Sequence, residues 1–123
     1  MTAPKAAQDK SPVLRESISG DLSAIVAIYG HHVQNSFGSF ELAAPDIEEM
    51  GRRRDTVIGL DLPYLVAEWG GRVAGFAYAS PFRPRPAYRY TVEDSIYVAP
   101  DATGRGLGSA LLAALIAQCE ALE

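Results

Sequence analysis

The residues best suited to chemistry lie in one run, Tyr97-Val98-Ala99-Pro100-Asp101-Ala102-Thr103-Gly104-Arg105-Gly106-Leu107-Gly108-Ser109. An extended segment meets a glycine-rich turn, and an apolar helical pattern begins directly behind it. Glycines let a ligand approach the main chain closely. A helix start adds free N–H groups and the positive end of the helix dipole. A phosphate or pyrophosphate suits such a turn, and Arg105 would add a charge. A plain glycine-rich helix entry has the same outline, so the pattern alone leaves the ligand open. Two common phosphate motifs are excluded. A P-loop needs Gly-Lys-Ser/Thr, and no lysine follows Lys10; a dinucleotide fingerprint needs Gly or Ala where Ser109 stands.

Other reactive residues have plainer readings. Arg52, Arg53 and Arg54 resemble an anion site, but Glu48 to Arg52 and Glu49 to Arg53 are i,i+4 pairs of the kind found on a solvated helix face. His31 and His32 read as capping groups at a helix end, with no nucleophile beside them in the sequence. Cys119 sits in an apolar helix and reads as core.

These groups need a scaffold to position them. Residues 13–18 alternate weakly and suit a first strand. Ser19-Gly20-Asp21 signals a helix start, and Leu22, Ile25, Ala27, Tyr29 and Val33 supply a helical stripe. Pro45-Asp46 opens a second helix with Ile47, Met50, Val57 and Ile58 on its apolar side. Residues 64–69 and 72–80 are strands joined by the hairpin signal Gly70-Gly71. Three prolines in 81–86 exclude regular structure there. Residues 88–98 form another strand, 100–104 a loop, and Leu107, Leu111, Leu112, Leu115 and Ile116 a strongly apolar helix. The order strand, helix, helix, three strands, helix implies a layered α/β or α+β fold.

Composition bounds the function. Hydrophobic residues make up 48% and charged residues 21% of 123 residues, ordinary values for a globular domain. Eleven Lys and Arg against fifteen Asp and Glu give a formal charge of −4, which argues against a nucleic-acid binder working through a basic face. One cysteine allows neither an intrachain disulfide nor a cysteine metal site. The apolar run 110–117 is too short to span a bilayer, and residues 1–11 carry lysines without the apolar core of a secretion signal. The expectation is a cytoplasmic single domain with no metal, no nucleic-acid partner and no membrane partner: a flexible arm over residues 1–11 and a folded domain over 12–123.

The segment Thr103-Gly104-Arg105-Gly106-Leu107-Gly108 resembles the acetyl-CoA pyrophosphate loop of the GNAT N-acetyltransferases, whose pattern is Gln/Arg-x-x-Gly-x-Gly/Ala. Thr103 departs from the first position. The likeness extends to Tyr64-Leu65-Val66-Ala67-Glu68, Gly75-Phe76-Ala77-Tyr78-Ala79, Arg85-Pro86-Ala87-Tyr88 and Thr91-Val92-Glu93-Asp94-Ser95-Ile96-Tyr97-Val98, which are similar to the phosphinothricin acetyltransferase subgroup. The resemblance implies a mixed, mostly antiparallel sheet with flanking helices. It also implies acetyl transfer from acetyl-CoA, as cosubstrate, to the amine of a small amino-acid-like substrate such as phosphinothricin, methionine sulfoximine or methionine sulfone. N-acetylation of a protein N-terminus, polyamine or aminoglycoside is the alternative enzyme reading. A CoA-binding or assembly module without catalysis is the third.

Residue roles follow from the same resemblance. Ile96, Tyr97 and Val98 line the acetyl and pantetheine arm through their backbone, and Gly104, Arg105, Gly106, Leu107, Gly108 and Ser109 hold the pyrophosphate. Glu93 is the general base, and apolar neighbours would suit that task. On its residue type alone, Glu93 is equally a strand carboxylate that is exposed or bonded to Arg89. Asp94 should point to the opposite face of the strand. Arg85 and Tyr88 contact the substrate, Arg83 pairs with a second acidic group, and Phe40 walls the pocket, with Phe82 at another aromatic position. The family continues past the last helix, so the resemblance implies a domain cut short at its C-terminus, lacking that part of the fold. It also implies a homodimer.

Overall fold

The structure, a computed structural model, describes residues 12–35, 45–81, 92–104 and 106–121. Four strands, β1 (Val13–Glu16), β2 (Tyr64–Trp69), β3 (Arg72–Pro81) and β4 (Val92–Val98), form one antiparallel sheet in the order β1-β2-β3-β4. Three helices cover it: α1 (Leu22–Asn35), α2 (Ile47–Gly59) and α3 (Leu107–Ala121). The element order is the one the sequence predicts.

The strands build the sheet because they can be buried on both faces. Tyr64, Leu65, Val66 and Ala67 are consecutive and all buried, the near-continuous apolar run expected of a strand between two helical layers. Gly70 and Gly71 turn the β2–β3 hairpin at φ +67° and +81°, values that suit glycine and match the right-handed twist of the strands. Register separates the side chains into two sets. Gly75, Ala77 and Ala79 share one face, where Leu107, Leu111 and Leu115 of α3 pack at full burial. Phe76, Tyr78 and Tyr97 share the other, where Tyr97 meets Tyr29 of α1 edge to face at 5.1 Å. The small residues under α3 let the helix come close: a Cβ on Gly75 would lie 3.2 Å from Leu111 Cδ1 and 3.1 Å from the Tyr97 carbonyl.

Both early helices start on aspartates. Asp46 accepts the Glu49 N–H at 2.9 Å and caps α2. Asp21 is buried, accepts the Ile18 N–H at 2.8 Å, and takes two hydrogen bonds from Arg15 at 2.9 Å each. Arg15 also reaches Glu68 of β2 at 2.7 Å. The Arg15 guanidinium is the main reason the Asp21 carboxyl is held below the usual carboxylate range.

Several expectations are corrected. In α1 Ile28 joins Ile25 and Val33 as a buried residue, and Ala27 faces solvent. In α2 only Met50 and Val57 are buried, while Ile47 and Ile58 stay exposed. In α3 Leu112 and Ile116 stay exposed, because the sheet covers only the stripe at 107, 111 and 115. Arg52 and Arg53 both bond Glu49, so Arg52 takes its partner at i+3 rather than Glu48 at i+4. Arg54 donates to the Ser17 hydroxyl at 2.8 Å and carbonyl at 2.7 Å. Arg52 and Arg53 thus pair within α2, and Arg54 ties that helix to Ser17, the residue after β1. Pro81 closes β3, paired with Val92 near the edge of the ladder.

Candidate functional site

The glycine turn lies between the end of β4 and the start of α3. A 3-10 turn, Pro100–Ala102, leads into it. Ala102 is fully buried and anchors this corner, and its N–H donates to the Ala99 carbonyl at 2.9 Å. Arg72 of the β2–β3 hairpin bonds Asp101 at 2.8 Å, an exposed pair that adds little stability. The Thr103 hydroxyl donates back to the Pro100 carbonyl at 3.2 Å. Where the family pattern has a longer side chain, this one is committed to the turn itself.

Gly104 and Gly106 both sit at φ +81°, and a Cβ at either would touch nothing within 4 Å. Glycine is required here for the backbone path, not for lack of room. Ala110 N–H donates to the Gly106 carbonyl at 3.0 Å, the first i→i−4 bond of α3. The N–H groups of Leu107, Gly108 and Ser109 therefore have no partner within the helix. Gly104, Gly106 and Ser109 are exposed, while the Leu107 side chain is buried and fixes the helix start on the sheet. A cluster of main-chain donors at the positive end of a helix results, suited to an anion.

Beside it runs the outer edge of β4. Ala99 N–H donates to the Ala74 carbonyl at 2.8 Å. With the register Gly75↔Val98, Phe76↔Tyr97 and Ala77↔Ile96, alternation turns the main-chain groups of Val98 and Ile96 away from β3 and those of Tyr97 toward Phe76. Of the three strand residues singled out, two present backbone groups outward, and Tyr97 contributes its ring to the layer under α1. Val98 Cγ2 lies 3.9 Å from the position a Cβ would take on Gly108, so strand edge and helix start are in contact.

His32 was not foreseen here. The sequence reads it as a helix-end cap. In the structure α1 runs on to Asn35, and Nε2 of the half-buried His32 instead lies 3.0 Å from the Val98 carbonyl of β4. Its ring meets Tyr97 edge to face at 5.3 Å. The available signal was spacing: Tyr29 and His32 are i and i+3, on one sheet-facing stripe with Ile25 and Ile28.

Glu93 and Asp94 pair with Ser80 and Ala79, so they occupy opposite faces of β4. Both are exposed, and among the described residues no apolar enclosure surrounds Glu93. Glu93 shares its face with Ser95 and Tyr97, the α1 side of the sheet. Cys119 is half-buried against the core. Phe40, Phe82, Arg83, Arg85, Tyr88, Arg89 and Arg105 lie outside the described residues. The described residues thus bring together the glycine turn, the start of α3 and the end of β4, and place Glu93 further back along the same strand.

Comparison with known proteins bears on the family and the fold. The model of the acetyltransferase (GNAT) family matches residues 29–123. A phosphinothricin N-acetyltransferase of Alcaligenes faecalis is 56% identical over 100 residues, covering 81% of this chain and 51% of that protein. An L-methionine sulfoximine/L-methionine sulfone acetyltransferase of Pseudomonas aeruginosa is 37% identical over 112 residues, covering 90% of this chain and 65% of that protein. The crystal structure of a phosphinothricin acetyltransferase from Sinorhizobium meliloti, in complex with acetyl-CoA, superposes with a TM-score of 0.84 at 46% identity, covering 90% of this chain and 60% of that one. This chain therefore spans about half to two-thirds of the length of these relatives. Among the described residues no helix is long and apolar enough to cross a membrane.

Proposed function

Because the chain belongs to the GNAT acetyltransferase family, we propose that it takes part in transfer of an acetyl group from acetyl-CoA to the amine of a small amino-acid-like substrate of the phosphinothricin or methionine sulfoximine/sulfone type. One observation carries this reading. Two left-handed glycines lead into the α3 amides that have no partner within the helix, beside a strand edge whose main-chain groups face outward. A diphosphate next to a thioester arm fits that shape and charge. The acetyl-CoA complex of the S. meliloti relative supports the same coenzyme.

In this reading Gly104, Gly106, Leu107, Gly108 and Ser109 hold the diphosphate, joined by Arg105. Ile96 and Val98 pair with the pantetheine arm, and Tyr97 backs the strand. Glu93 accepts a proton from the substrate ammonium. The neutral amine then attacks the thioester carbonyl, a C–N bond forms, the C–S bond breaks, and the CoA thiolate leaves and takes up a proton. Strand-edge N–H groups stabilise the oxyanion formed on the way. Arg83 and Arg85 bind acidic groups of the substrate, and Phe40 and Tyr88 wall it in; these arginines favour an anionic amino-acid analogue over a polycation. We further place the protein in the cytoplasm as a homodimer, to be checked by fractionation and light scattering.

The test is acetyl-CoA-dependent thiol release over a panel of phosphinothricin, methionine sulfoximine, methionine sulfone, spermidine, an aminoglycoside and a peptide N-terminus. Turnover should be confined to the amino-acid analogues. Glu93→Gln should lower kcat by about 10²–10⁴ with acetyl-CoA affinity unchanged. An equally active Glu93→Gln protein removes Glu93 from the mechanism, and binding without turnover of any amine favours a non-catalytic module.

A further inference from the structure

We infer that His32 is a positioning residue for the coenzyme-binding edge. The inference rests on the reading of the glycine turn and β4 as the coenzyme site. The peptide joining Val98 to Ala99 is the last of the strand before the chain leaves the sheet for that turn. Its N–H is held by the Ala74 carbonyl at 2.8 Å. Its carbonyl points to the opposite side, away from β3, and lies 3.0 Å from His32 Nε2. A carbonyl only accepts, so Nε2 carries the hydrogen. The plane is therefore clamped from both sides, by the sheet and by α1.

The clamp has two consequences. First, it fixes the direction in which the chain enters Pro100–Ala102, and hence where Gly104 and Gly106 aim the α3 amides. Second, it occupies the one outward carbonyl nearest the helix start. An unengaged carbonyl would present negative charge beside a site that must receive a diphosphate and a developing oxyanion. With the carbonyl bonded to His32, the Val98 N–H is left as the outward main-chain group. The imidazole is itself held edge to face against Tyr97 at 5.3 Å, and Tyr97 is stacked on Phe76 at 5.1 Å. The donor thus stands on a packed aromatic layer with little freedom to turn.

The test compares His32→Phe, which keeps a ring against Tyr97 and loses the donor, with His32→Gln, whose amide nitrogen can reach the same carbonyl. Acetyl-CoA affinity should fall about tenfold in His32→Phe and return to within about threefold in His32→Gln, with kcat at saturating acetyl-CoA changed less than KM. Equal affinity in His32→Phe and the parent, or no recovery in His32→Gln, overturns the inference. NMR of the parent decides the point independently of how the variants fold. Nitrogen–proton correlation of the ring should show the Nε2–H form, and the Nδ1–H form overturns it. If the parent does not bind acetyl-CoA, the coenzyme reading fails. The clamp then stands if the Gly104 and Gly106 amides shift in His32→Phe and return in His32→Gln, and falls if they do not move.

Discussion

Replacing Gly106 by alanine isolates what the turn's backbone contributes. At φ +81° an L-residue is strained, while the space around the added methyl is open. The cost is therefore conformational rather than steric crowding, about 1–2 kcal/mol for an L-residue in the left-handed region. That free energy appears in one of two places. If the turn relaxes when empty and must be forced back by the coenzyme, acetyl-CoA affinity falls by about 5–30-fold. If the turn is held by its neighbours, Tm falls by about 4–8 °C instead, taking about 4 °C per kcal/mol for a chain of this size. Isothermal titration and thermal melting on the same preparations give both numbers. D-Alanine at position 106, introduced by chemical ligation, removes the strain while keeping the methyl, and should restore the parent values. Gly70→Ala meets the same strain in the β2–β3 hairpin at φ +67°, and should lower Tm without touching affinity. Unchanged affinity and Tm in Gly106→Ala, or an equal loss with either enantiomer, would show that the left-handed backbone at Gly106 carries no such cost.

Other positions give separate tests. Asp21→Asn weakens the two Arg15 hydrogen bonds and the Ile18 N–H bond at a buried site, and should cost about 2–4 kcal/mol in urea unfolding. Because the folded carboxyl is held below its ordinary value, that stabilisation is fully present above the unfolded pKa of about 3.9 and is lost as pH falls through the folded value. The gap between parent and variant should be flat from pH 5 to 8 and close at lower pH; a gap that persists unchanged in acid contradicts the assignment. Gly75→Ala places a methyl 3.1 Å from the Tyr97 carbonyl, a backbone atom that cannot yield without moving β4. It should cost about 1–3 kcal/mol, and an unchanged Tm would show that α3 and β4 give way freely.

Elements with a local cause were legible in the sequence. Gly70-Gly71 needs left-handed backbone, Asp46 is an N-cap, and the β2 and β3 runs are apolar and β-forming. Helix faces were less legible, because α1 and α3 are apolar around much of their circumference. Only the sheet's position decides that Ile28 is covered and Ile116 is not. Pairings across the fold left no local trace. Arg54 to Ser17 spans 37 residues and His32 to Val98 spans 66, and a histidine near a helix end has the same spelling whether it caps that helix or clamps a distant strand. The glycine turn was readable because its chemistry is carried by consecutive residues.

The proposed function claims that the amides around this turn grip a coenzyme diphosphate, with the thioester arm along β4. The most direct measurement is a titration of the nitrogen-labelled chain with acetyl-CoA, followed through its backbone amide resonances. The claim predicts the largest shifts at Gly104, Gly106, Leu107, Gly108 and Ser109, with Ile96 and Val98 next, and weaker shifts at the turn with a pantetheine fragment lacking the diphosphate. Saturable binding that leaves these amides unmoved, or that shifts them equally with the fragment, would contradict it.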